Sequence, residues 1–237
     1  MGILTQDQAR EEWWHTFGVN LVITNGTEDI CLSGDLLLPA AAAATTIVSA
    51  SADDDGDPAG TGVRTVKVTG LVAGGGVVSE VATLNGTGAV TLGNSYLRIL
   101  DAYTATAGSG GVAAGQIDIK HSATIIGTID IGTNKLNRCA YTVPAAKRGR
   151  IQAWRCATGI AVDGVINFKL QVRPSGGAWQ ILDAVELADV TPGFPYQRTI
   201  PGGYLCEALT DIKVTATTAA TSMDGWAGID GTLEPAY

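Results

Sequence analysis

Residues 167–182 constrain the fold more than any other stretch. Asn167-Phe-Lys-Leu-Gln-Val-Arg173 alternates apolar and polar side chains with the period of two that a strand covered on one face requires. Pro174-Ser-Gly-Gly177 then turns the chain, and Ala178-Trp-Gln-Ile-Leu182 starts the way back. The same grammar recurs throughout. Residues 19–23 run into the Asn25-Gly26 turn, 65–71 into Gly74-Gly-Gly76, 77–84 into Asn85-Gly86, and 139–143 through a Pro144 to Gly149 turn into 150–155. Further strands are expected at 30–38, 89–92, 96–100, 116–120, 124–132, 194–200, 211–217 and 223–233. With 31 glycines and many Ala, Thr and Val residues, the composition favours short strands and tight turns over long helices.

The expected fold is therefore all-β, with two β-sandwich or jelly-roll-like domains behind a short N-terminal helix or arm. Charge places the boundary near residues 121–128. Residues 1–125 hold five Lys and Arg against thirteen Asp and Glu, 5 − 13 = −8, whereas residues 126–237 hold ten of each. The domains are read as an arm at 1–18, a β-sandwich at 19–125 and a jelly-roll-like sandwich at 126–237. The helix is predicted from Thr5-Gln-Asp-Gln8, which fits a capping box, followed by an interrupted apolar run over 9–17 that ends at Gly18. So short a helix needs packing, so Trp13, Trp14 and Phe17 either cover their own domain or dock the arm on a neighbouring subunit.

Several function classes are disfavoured at this level. No window has the apolar length of a membrane helix, and the acidic start is unlike a signal peptide. Cys31, Cys139, Cys156 and Cys206 lie far apart without a C-x-x-C pair, which reads as reduced, buried thiols made in a cytosol. Lys135, Arg138, Lys147, Arg148, Arg150 and Arg155 form a basic cluster, but the chain's net charge of −8 argues against nucleic acid. The glycine-rich 107–115 stretch precedes no helix that would cradle a phosphate. His15 and His121 stand beside no nucleophile signature, so no catalytic residue and no organic cofactor is expected. The acidic loop Asp53-Asp-Asp-Gly-Asp57-Pro58 offers Asp53, Asp55 and Asp57 as candidate calcium ligands, although its spacing is not that of an EF-hand; a solvated acidic loop is the alternative.

Ser51-Ala-Asp-Asp-Asp-Gly-Asp-Pro-Ala-Gly-Thr-Gly-Val-Arg-Thr-Val-Lys-Val, Val78-Ser-Glu-Val-Ala-Thr-Leu-Asn-Gly-Thr and Asn94-Ser-Tyr-Leu-Arg resemble a module of structural proteins encoded by tailed bacteriophages. Ala140-Tyr-Thr-Val-Pro-Ala, Leu170-Gln-Val-Arg-Pro-Ser-Gly-Gly and Asp211-Ile-Lys-Val-Thr-Ala-Thr extend the likeness. The resemblance implies a β-rich virion component without an active site.

The expected role is that of a capsid decoration (cement) or capsid-associated protein. Its partners would be the major capsid protein or another virion protein, and it would act as a homo-oligomer, with a trimer favoured, assembled in the host cytoplasm. Trp13 and Trp14, with Arg148 and Arg150 meeting acidic neighbours, are the candidate docking residues. The alternative is a neck, tail or fibre component that recognises host carbohydrate through Trp154, Trp179 and Trp226.

Overall fold

The computed structural model describes residues 12–32, 38–159, 164–188, 196–220 and 222–236. The chain is all-β, as expected. It divides into two compact units, but not at residues 121–128. One unit joins the chain up to Ile30 to the chain from Cys139 onward, and the other is the intervening Cys31–Arg138. The second unit is thus an insertion into the first, which a charge balance summed along the sequence does not detect.

The first unit contains β1 (Glu12–Ile23), β2 (Glu28–Asp29), β9 (Ala140–Thr142), β10 (Lys147–Thr158), β11 (Val165–Arg173), β12 (Gln180–Ala188), β13 (Tyr196–Cys206), β14 (Asp211–Thr218) and β15 (Met223–Pro235). They form two antiparallel sheets, ordered β1-β15-β10-β13 and β12-β11-β14-β2, with β9 also on β14. β2 and β9 are two halves of one strand position. Asp29 and Glu28 pair with Thr215 and Ala216, while residues 140–142 pair with 213–211 on the same side of β14. The halves meet at Val214, whose C=O accepts from Ile30 N–H and whose N–H donates to Cys139 C=O. Counted this way the sheets run 1-8-3-6 and 5-4-7-2 in chain order, which is the jelly roll.

Between the sheets lie Trp14, Ile23, Tyr141, Ile151, Trp154, Phe168, Leu170, Val214 and Ile229, each at most 9% exposed. Trp14 on β1 stacks on Tyr141 of β9 at 4.3 Å, and the Trp154 indole on β10 donates to Asp183 Oδ2 on β12 at 2.8 Å. Glycine makes room for these rings: a Cβ at Gly231 would stand 2.4 Å from Trp14, and one at Gly225 would stand 2.9 Å from Phe168.

The predicted helix over 9–17 is corrected where it is described. Residues 12–23 are strand β1, paired with β15 from Glu12↔Leu233 to Ile23↔Met223. The capping residues Thr5 and Gln8 lie outside the described residues. Pairing overrode helix propensity because the run carries the β-favouring residues Trp, Thr, Phe and Val, and because β15 offers a long partner along which burial alternates from Trp13 to Asn20. Residues 12–18 are therefore built into the jelly roll, with Trp14 in its core.

The second unit is one six-stranded sheet, β5-β4-β6-β3-β7-β8, from β3 (Ala43–Ser49), β4 (Val63–Val72), β5 (Val77–Thr83), β6 (Val90–Ala107), β7 (Ile117–His121) and β8 (Thr124–Ile129). β6 merges the two strands expected at 89–92 and 96–100 into one of 18 residues. Its first half pairs with β3, and Tyr96 to Ala107 pair with β4. The sheet curls back on itself: Leu136 pairs with Ile129 beyond β8, and its N–H donates to Ala102 C=O on β6 at 2.8 Å. Ile47, Val66, Val68, Tyr96, Ile99, Ile117, Ile119 and Leu136 fill the concave side.

Candidate interaction surface

The outer face of the β1-β15-β10-β13 sheet carries most of the sequence-derived docking candidates. Alternation along β1 buries Trp14, Thr16 and Asn20 and turns Trp13, His15 and Phe17 to solvent. Trp13 is 73% exposed, and Phe17 and Leu21 follow at four-residue intervals. Trp226 on β15 lies 5.9 Å from the Phe17 ring. Of the two tryptophans, then, only Trp13 is available to a partner.

Strand register sets the polar groups in rows. Trp13 faces Thr232, then Arg150 and Leu205; Phe17 faces Gly228, then Arg155 and Gln197. Gly228 matters here. Its missing side chain lets Arg155 lie across β15, with Nε 3.1 Å from where a Cβ would be. Arg155 reaches Asp230 at 3.3 Å, and Asp230 accepts from or pairs with His15 Nδ1 at 2.7 Å. Arg148 pairs with Glu207 at 3.2 Å and Arg150 with Glu234 at 3.3 Å. The candidate arginines are on this face, but each already holds a carboxylate of its own chain.

The rest of the basic cluster disperses. Lys147 pairs with Glu12, while Lys135 sits in the second unit beside Asp101, and Arg138 is buried there with a bond to Ile126 C=O. No continuous basic face is formed by these six residues.

The three tryptophans considered for sugar stacking are used within the chain. Trp154 is fully buried, and Trp179 has Arg173 at 4.8 Å and Lys213 at 4.7 Å from its ring centre. Trp226 is the half-buried neighbour of Phe17.

In the acidic loop the organising residue is one that sequence reasoning passed over. Asp54 has no exposed surface. Its Oδ1 accepts from Val63 N–H at 2.7 Å and Ala114 N–H at 2.9 Å; its Oδ2 accepts from Ser49 Oγ–H at 2.6 Å and Gly115 N–H at 2.9 Å. The glycine-rich 107–115 segment therefore cradles an anion after all, but an internal one. Asp55 Oδ1 accepts a local bond from Asp57 N–H, and the Asp53 backbone N–H donates to Ser51 Oγ. Among the described residues no group of three or more His, Cys, Asp or Glu is placed to hold a metal ion. The cue available in sequence was the crowd of glycines: a Cβ at Gly62 would lie 2.2 Å from Asp54 Oδ1.

All four cysteines are buried. Burial raises the Cys139 and Cys156 thiols well above their ordinary range, and burial with the nearby Glu207 charge pushes Cys206 up to about 12. Thiolate is the reactive form, so these groups are inert in the fold. Ellman's reagent is expected to leave all four unmodified in native buffer and to titrate four per chain in denaturant; rapid native modification would contradict the burial.

His121 is 8% exposed and its Nε2 is buried without a hydrogen-bond partner. Burial lowers its pKa from 6.5, against an opposing bond to the Tyr96 backbone. The unfolded chain therefore takes up this proton more readily than the folded one. The neutral histidine's contribution is intact above about pH 6.5 and declines as the pH falls below it. Urea midpoints taken at descending pH should drop less for His121→Gln than for the wild type, and parallel curves would refute this assignment.

No protein-family profile and no curated protein matches the sequence. Among solved structures, the chain is similar to the infectious bursal disease virus VP2 subviral particle at 11% identity, covering 99% of this chain and 74% of that one, with a TM-score of 0.26. Structures of the Gx and Gt strains of the same virus match at 10% and 12% identity, each covering 99% of this chain and 75% of theirs, with TM-scores of 0.28 and 0.24. TM-scores this low carry no argument about function, and the comparisons do not place the chain in a tailed-phage family. Among the described residues no helix is long and apolar enough to cross a membrane.

Proposed function

We propose that this chain is a non-enzymatic structural protein of a virion, a capsid decoration or capsid-associated protein of a tailed phage that attaches to the shell as an oligomer. The observation that carries the reading is the strand order of the first unit. A jelly roll presents two broad sheet faces on a rigid body, and such bodies build viral shells; this is an analogy of fold, and lectins share it. The sequence likeness of residues 51–68, 78–87 and 94–98 to tailed-phage structural modules supports the same side.

The lectin-like alternative, a fibre or tail component binding carbohydrate, needs aromatic faces open to a sugar. Trp154 fills the core and Trp179 is flanked by two cations, which weighs against it. Many weak copies of one contact, added over a lattice, would give the shell protein its hold.

Cryo-electron microscopy of native particles, or of capsids mixed with the purified chain, tests the reading. Density repeated at symmetry-related sites on the shell is the expected result. Density confined to the neck, tail or a fibre would replace it with the alternative.

A further inference from the structure

The outer face of the β1-β15-β10-β13 sheet combines two properties that a face meant only for water does not. The first is apolar. Trp13, Phe17 and Leu21, at 73%, 42% and 57% exposure, run along β1, and Leu205, at 39%, flanks Arg150 from the other side. Phe17 adjoins Trp226 at 5.9 Å, and exposed apolar groups of this size gathered on one sheet face mark contact surfaces.

The second property is a neutral charge pattern. Arg148, Arg150 and Arg155 stand against Glu207, Glu234 and Asp230, three cations and three anions interleaved on the face of a chain whose net charge is −8. A strongly acidic partner would meet the carboxylates, and a strongly basic one the guanidinium groups. The pattern that complements an interleaved neutral face is the same pattern turned by a two-fold axis, where each residue i that meets j has its j meeting i.

We infer that this face is the contact between two copies of the chain, with Trp13, Phe17 and Leu21 as its apolar anchors and the arginine–carboxylate pairs as its polar frame. The inference rests on the oligomeric reading above and narrows it: a two-fold contact takes the place of the trimer favoured from sequence. Large aromatic anchors such as Trp13 and Phe17 carry the largest share of a contact's strength.

The test is sedimentation equilibrium of the full chain over a wide concentration range. It compares wild type with the double variant Phe17→Glu, Leu21→Glu and with a control, Val77→Glu, Val81→Glu, whose residues are comparably exposed on β5 of the second unit. All four side chains point to solvent, so folding should hold, and circular dichroism with thermal midpoints verifies it. Wild type and control are expected to form dimers of equal strength, and the β1 variant to dissociate about tenfold more readily or beyond. Dimers that survive the β1 substitutions but are lost in the control overturn this surface and leave the oligomeric reading standing. Association unmoved by either pair also overturns the surface. A wild-type chain that stays monomeric at every concentration overturns the inference together with self-association as the mode of attachment.

Discussion

Replacing Asp54 with alanine is expected to lower the stability of the second unit by about 3–5 kcal/mol, the range for stripping a buried charged group from its partners. Four donors lose their acceptor at once: the amides of Val63, Ala114 and Gly115 and the Ser49 hydroxyl. They tie the end of β3, the start of β4 and the loop before β7 to one carboxylate. Asp54→Asn keeps the shape but turns one acceptor into a donor facing donors, so it should recover little. Asp53→Ala, by contrast, should cost less than about 0.5 kcal/mol, the usual range for a surface change. Denaturant unfolding of the full chain, followed by a probe in each unit, measures all three. A loss at Asp54 no larger than that at Asp53 would show that water replaces the carboxylate at no cost.

Trp154→Ala should unfold the jelly roll more readily by about 3–5 kcal/mol, the usual result of deleting a buried large aromatic. The indole is wholly buried, meets Tyr196 edge-on at 5.3 Å, and donates to Asp183 across the two sheets. Its loss leaves a cavity and removes a donor from a carboxylate that also binds Arg198. Trp154→Phe fills most of the space and isolates the hydrogen bond, so it should fall between the two. Equal stability of Trp154→Ala and wild type would mean that the sheets close over the gap.

The sequence made the strands legible because alternation and turn chemistry are local. β4, β5, β7, β11 and β14 lie where Thr65, Val77, Gln116, Asn167 and Asp211 begin their alternating runs. The insertion was not legible, because both units are β and the two halves of one strand position, β2 and β9, are brought together only by β14. β1 was misread for a related reason: its strand character depends on β15, at the far end of the chain. At the candidate surface the identities of Arg148, Arg150 and Arg155 were visible, but not their partners Glu207, Glu234 and Asp230, which arrive from distant parts of the chain. Asp54 was hidden among four like carboxylates, since burial selects one of them only after residues 49, 63 and 114–115 converge.

The pairing of β1 with β15 also orders events during synthesis. The Trp14 indole donates to the backbone of Thr232, 218 residues further on, and at ribosomal rates of ~5–20 residues per second that partner is ~10–40 s away. Until then β1 has no place in its sheet, whereas the inserted unit, all of whose strands precede β9, can already close. A chain cut short before β15 would lack the strand that joins β1 to β10 and so could not present their combined outer face. Any assembly that uses that face thereby screens out unfinished chains without a separate inspecting factor.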